Sequence, residues 1–139
     1  MSEHVSPETL LEPLLTAARH VALNSYSPYS NFRVGAALQL SNGEVVTGAN
    51  VENVSYGLTI CAERSALVSA VARFGAAIRV EAVAVANLNG AASPPCGACR
   101  QVLSEFIEPD APVIFPIADS MRTMAFRELM PMAFEMDLK

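Results

Sequence analysis

The stretch CAERSALVSAVARFGAAIRVEAVAVANL, residues 61–88, changes period midway. Residues 61–75 space their apolar side chains as a helix does, and Gly75 supplies a stop. Residues 80–88 are almost continuously apolar, as expected of a strand at the centre of a sheet covered on both faces. The same alternation follows downstream. GACRQVLSEFI, residues 97–107, reads as a second helix, ended by the following Pro109, and PVIFPIA, residues 112–118, as a further strand. Strands separated by helices need crossover connections, so these strands are expected to run parallel.

Upstream, TLLEPLLTAARHVAL, residues 9–23, places Leu10, Leu11, Leu14, Leu15, Ala18, Val21 and Ala22 at helical spacing. Pro13 is expected in or near the first turn, where a missing N–H is tolerated. SYSPYSN, residues 25–31, is a loop by composition. FRVGAALQL (32–40) and EVVTGANV (44–51) read as two strands, joined through Ser-Asn-Gly as a tight hairpin. TMAFRELMP, residues 123–131, reads as a short final helix. The sum is an α/β fold: a mixed sheet with helices on both faces.

The chain has 139 residues, a length that suggests one domain. Apolar residues make up 52% and charged ones 17%, which is apolar for a small monomer and points to surface buried between subunits. No run of 18 uncharged apolar residues is present, and MSEHVSPETL lacks the basic and apolar regions of a secretory signal. A cytoplasmic protein with no membrane partner is expected. The net charge is −5, and Lys139 is the one lysine beside scattered arginines. Nucleic acid needs a dense basic face, so a small-molecule partner is expected instead.

All three cysteines lie in two segments, TICAERSAL (59–67) and SPPCGACRQ (93–101). An odd count argues against a disulfide framework and leaves metal binding or nucleophilic chemistry. Cys61 is expected at the start of its helix, and Cys96 and Cys99 across the first turn of theirs, i and i+3 on one face. Helix N-termini favour negative charge, so all three thiols are expected to be lowered in pKa. Thiolates suit zinc. Three leave a tetrahedral ion one position short, with His4 and His20 badly placed to fill it. An open position marks a catalytic ion, and Glu63 is the natural base beside it. On spacing alone, a structural metal site and plain buried cysteines stay open as alternatives.

CAERSA together with PPCGACRQ resembles the zinc-dependent nucleoside deaminases. YSPYSNFRVGAAL (26–38), GANVENVSYGLTICAERSAL (48–67) and ELMPMAF (128–134) extend the likeness to the small homotetrameric cytidine deaminases. The resemblance covers most of the chain. It implies a three-layer α/β/α sandwich around a mixed sheet of about five strands. It implies hydrolytic deamination of cytidine and deoxycytidine to uridine and deoxyuridine in pyrimidine salvage, with one zinc ion per subunit on Cys61, Cys96 and Cys99. Glu63 is the implied proton carrier. Many larger relatives have histidine as first ligand where this chain has Cys61. Three thiolates leave the site formally anionic, and Arg64 is the implied neighbour that offsets this by hydrogen-bonding ligand sulfur.

The same resemblance assigns Asn50 and Glu52 to the ribose. An i, i+2 pair on an extended chain shares one side, and an amide with a carboxylate suits a hydroxyl that both donates and accepts. It places Phe32 against the pyrimidine ring and gives backbone groups at Ala62 and near Ser93–Pro95 to the base. Phe134 and Tyr56 are implied to reach into a neighbouring subunit's site. Competing readings are a deaminase of a modified cytosine nucleoside such as blasticidin S, a non-catalytic zinc module, and a nucleic-acid editing deaminase, the last opposed by length and charge.

Overall fold

The computed structural model describes residues 7–136. His4 and the side chain of Leu10 lie outside what it describes. The first helix, α1, spans Pro7–Ala22. It therefore holds Pro13 well inside, not in the first turn as the sequence suggests. Leu11, Leu14, Leu15, Ala18 and Ala22 are buried, which recovers the predicted stripe. Strands β1 (Val34–Leu40) and β2 (Val45–Ala49) form the expected antiparallel hairpin, with Gly43 at φ 89° in its turn. The Asn42 side chain accepts from the Glu44 amide at 2.9 Å.

Helix α2 (Ala62–Phe74) leads into β3 (Val80–Asn87), and α3 (Gly97–Ser104) into β4 (Pro112–Ile117). The α3 helix stops three residues before its predicted end. Strand order is β2-β1-β3-β4-β5, so β3 is central. It pairs antiparallel with β1 and parallel with β4, as the crossover requires.

The last element departs from its sequence reading. Residues 120–125 form a fifth strand, β5 (Ser120–Ala125), antiparallel to β4, and only Phe126–Leu129 form a helix, α4. The connecting turn is Ala118-Asp119, with Ala118 at φ 44°. Nothing in that pair carries the Gly or Asn signal of a tight hairpin, and the apolar spacing of Met121, Met124 and Phe126 imitates a helix.

Helix α1 packs on one face of the sheet against Ala37, Ala82, Ala84, Ala86 and Ile114. The other face buries Leu38, Val83, Val85, Val113 and Phe115 against Leu67 of α2 and Leu103 of α3. This is the three-layer arrangement. Two glycines set the spacing. A Cβ on Gly35 would lie 2.0 Å from the Ala18 carbonyl oxygen of α1, and one on Gly48 would lie 2.3 Å from the Ala66 nitrogen of α2. The backbones of strand and helix thus touch directly, and the start of α2 is held over the sheet at a fixed height.

Candidate metal centre and nucleoside pocket

Cys61 is the N-cap of α2 and Cys96 the N-cap of α3, both in extended backbone conformation; Cys99 lies one turn on. The crossing of the two helix starts brings the three sulfurs within 4.8 Å of one another. Cys61 Sγ is 3.8 Å from Cys96 Sγ, which is 3.5 Å from Cys99 Sγ. Tetrahedral zinc with bonds of about 2.3 Å sets its sulfurs about 3.8 Å apart. The donor set therefore fits one zinc ion, which Cys61, Cys96 and Cys99 could hold together. Among the described residues no fourth side chain joins this group.

The electrostatics correct one expectation. Hydrogen bonding from Cys99 lowers the Cys61 thiol to about 5, with burial opposing and Arg64 assisting. Cys99 goes the other way: its hydrogen bond to Cys61, then its burial, push its thiol up. At Cys99 that hydrogen bond and burial outweigh the helix N-terminus. Arg64 stands where the resemblance puts it. Its Nη2 donates to Cys61 Sγ and to the Thr59 carbonyl, both at 3.4 Å, while its buried Nε has no partner among the described residues.

Glu63, in the first turn of α2, is 5% exposed. Burial pushes its carboxyl up to about 7. It opens onto a pocket of about 250 Å³ that it shares with Cys61, Cys96, Ala62, Phe32, Asn50 and Glu52. Seven residues predicted from sequence thus meet around one cavity. Thr59, Val34, Val85, Ser93 and Pro94 complete its lining. Of these, Thr59, Val34 and Val85 had no signal in the sequence beyond ordinary strand or loop composition.

Asn50 and Glu52 follow β2 on extended chain that bridges to Tyr26 and Ile60 through Val51. Both are buried. The Asn50 amide donates to the Phe32 carbonyl at 2.8 Å, and its oxygen accepts from the Val34 amide at 3.0 Å and from the Ser25 hydroxyl. Glu52 accepts from the amides of Tyr29 and Ser30, at 3.0 and 3.2 Å, and from the Ser30 hydroxyl. The Ser30 hydroxyl above all holds the Glu52 carboxyl below its usual range, against burial. One amide hydrogen and one carboxylate lone pair remain for a ligand hydroxyl. The serines that buttress this pair were read from the sequence only as loop.

Cys99 and Arg64 sit with the sulfurs and not in the cavity lining, while two other predicted residues stand away from both. Tyr56 is 66% exposed in a short 3₁₀ turn, edge-on to Tyr29. Phe134 is 72% exposed, with its carbonyl accepting from Gln101 at 3.3 Å. Neither lines this chain's own pocket.

Known proteins share this arrangement. Residues 8–114 match the family model described as the cytidine and deoxycytidylate deaminase zinc-binding region. A cytidine deaminase of Halalkalibacterium halodurans is 43% identical over 122 residues, covering 87% of this chain and 91% of that protein. The crystal structure of cytidine deaminase from Burkholderia pseudomallei superposes with a TM-score of 0.81 at 43% identity, over 88% of this chain and 98% of that one. That of the Mycobacterium tuberculosis cytidine deaminase does so at 0.79 and 40%, over 90% and 97%. The match spans both cysteine segments and strands β1 to β3, and the chain belongs to the cytidine and deoxycytidylate deaminase family.

Proposed function

We propose that the chain is a zinc-dependent cytidine deaminase that converts cytidine and deoxycytidine to uridine and deoxyuridine with release of ammonia. The observation that carries this reading is a cluster of three sulfurs, two of which line one nucleoside-sized cavity together with a buried, raised carboxyl. Zinc, when bound, supplies a Lewis-acidic position at which water becomes a nucleophile near neutral pH. Glu63 takes one proton from the attacking water and passes it to ring N3, then takes the second proton from the hydroxyl added at C4 and passes it to the amino group, which leaves as ammonia. A carboxyl raised towards neutrality can both accept and return a proton. Phe32 covers the ring, and backbone at Ala62 and Ser93–Pro95 reads its polar edge. Asn50 and Glu52 offer their remaining donor and acceptor to a sugar hydroxyl. Arg64 offsets the charge of the thiolates.

In this reading residues 1–139 form one deaminase domain that acts in the cytoplasm, in pyrimidine salvage, as a homotetramer. The exposed apolar groups Val54, Tyr56, Leu58 and Phe134 support assembly, since each carries more surface to solvent than a stable monomer surface favours. Tyr56 and Phe134, outside their own pocket, complete that of a neighbour. An ultraviolet assay on cytidine, deoxycytidine, cytosine and blasticidin S, with zinc measured per chain, tests the whole. Turnover of the two nucleosides alone, with one zinc per chain, is expected. A fully zinc-loaded chain inert towards cytidine overturns the reading, and an active monomer at high dilution overturns the shared site.

A further inference from the structure

We propose that Asn87 and Asn89 are positioning residues that tie the two walls of the pyrimidine slot to the end of one strand. The inference rests on the deaminase reading above. Asn87 is the last residue of β3 and follows Val85 on the face that lines the pocket. Its side-chain amide donates to the Ala91 carbonyl at 2.8 Å and to the Ser93 hydroxyl at 2.9 Å. Its oxygen accepts from the backbone amides of Ala91, at 3.2 Å, and Asn89, at 3.0 Å. Both donors and both lone pairs are engaged, all on the segment that leads into Ser93 and Pro94.

Asn89 faces the opposite wall. Its amide donates to the Asn31 carbonyl and its oxygen accepts from the Arg33 amide, both at 2.9 Å. These bonds bracket Phe32 on either side. The Leu88 amide adds a third link, to the Arg33 carbonyl at 3.0 Å. Asn31 sits in the left-handed region at φ 58°, so the turn that presents Phe32 has little freedom to relax elsewhere. The side-chain amide of Asn50, which lines the pocket, donates to the Phe32 carbonyl, and the Ser30 hydroxyl accepts from the Phe32 amide. Asn89 holds its neighbours from outside. Because the Asn89 amide hangs from Asn87, the two walls share one anchor, and the distance between them is set there.

Such a tie acts on the ring in ground state and transition state alike, so its loss raises KM and spares kcat. Asn89 is exposed and its side chain bonds to loop backbone, so Asn89→Ala is expected to fold. Two hydrogen bonds lost from one wall correspond to a rise in KM for cytidine on the order of tenfold, with kcat within about twofold. Amide hydrogen exchange gives a readout independent of turnover. Asn89→Ala should speed exchange at Arg33 and leave Ala91 protected. Asn87→Ala should speed both. A wild-type KM in Asn89→Ala, a fall in kcat alone, or unchanged exchange at Arg33 overturns the proposal. If the unaltered chain does not deaminate cytidine while the exchange pattern holds, the functional reading falls and the tie between the walls stands.

Discussion

The two faces of the sheet are packed by different rules. Under α1 the sheet presents mainly alanine, Ala37, Ala82, Ala84 and Ala86, to Leu11, Leu14, Leu15 and Ala18 of the helix, and among the described residues no carboxylate is buried there. Under α2 and α3 the side chains are larger, and this face also buries Glu63, Asn50 and Glu52 beside the cysteines. Burying a carboxyl costs several kcal/mol unless it is neutralised or hydrogen-bonded. Glu52 meets that cost with two amides and a hydroxyl, and Glu63 by drifting towards its neutral form. One face is a close-packed support; the other carries a destabilising load of polar groups whose only return is chemistry.

The sharpest way to break this contrast is Glu63→Gln. It should keep fold and zinc but lower kcat by about 10²–10⁴-fold, the range for a lost acid–base group; steady-state kinetics with zinc analysis checks it, and near-wild-type kcat removes Glu63 as proton carrier. Next is Arg64→Gln, which leaves the Cys61 sulfur without its cation. Zinc affinity, read by competition with a chelator, should fall about 10–100-fold.

The two glycines sharpen the contrast from the support side. Gly48→Ala and Gly35→Ala each force a helix off the sheet and should each cost about 1–3 kcal/mol in denaturant unfolding. Only Gly48→Ala displaces the helix whose first turn carries Cys61 and Glu63, so only it should also lower zinc occupancy and kcat. Equal losses of activity from both would show that the faces are not separable.

The smallest effect concerns Glu52. Its folded-state carboxyl is depressed, so its contribution to stability is complete above the ordinary glutamate range and is lost as pH falls through the depressed value. Melting temperature against pH should therefore fall less steeply on the acid side in Glu52→Gln than in the unaltered chain. Parallel curves would remove Glu52 from the acid limb.

Much of the molecule was legible because local rules and burial agree. The 61–88 stretch was read as helix then central strand because its period changes and a glycine marks the change. Asn42-Gly43 announced the first hairpin. Ala118-Asp119 announces nothing, and residues 123–125 of β5 read from sequence as part of the last helix because their apolar spacing is ambiguous and only pairing with β4 resolves it. In the site, Cys61, Cys96, Cys99 and Glu63 stood out because rare, reactive side chains at helix starts have few other uses. Ser25, Ser30 and Asn89 did not, because their partners lie far along the chain; Asn87 bonds locally, but polar residues at a strand end look alike until the chain folds.

By itself the sequence determined the alternation of helix and strand, the thiol-and-carboxyl chemistry and the family, all of which depend on side-chain type at short spacing. Only the tertiary structure decided that the Cys61 and Cys99 thiols shift in opposite directions, how much of Asn50 and Glu52 is left for a ligand, and what holds the two pocket walls apart. Those are properties of distance through space, and residues 35 positions apart in the chain become neighbours 3.8 Å apart only when α2 and α3 meet over the sheet.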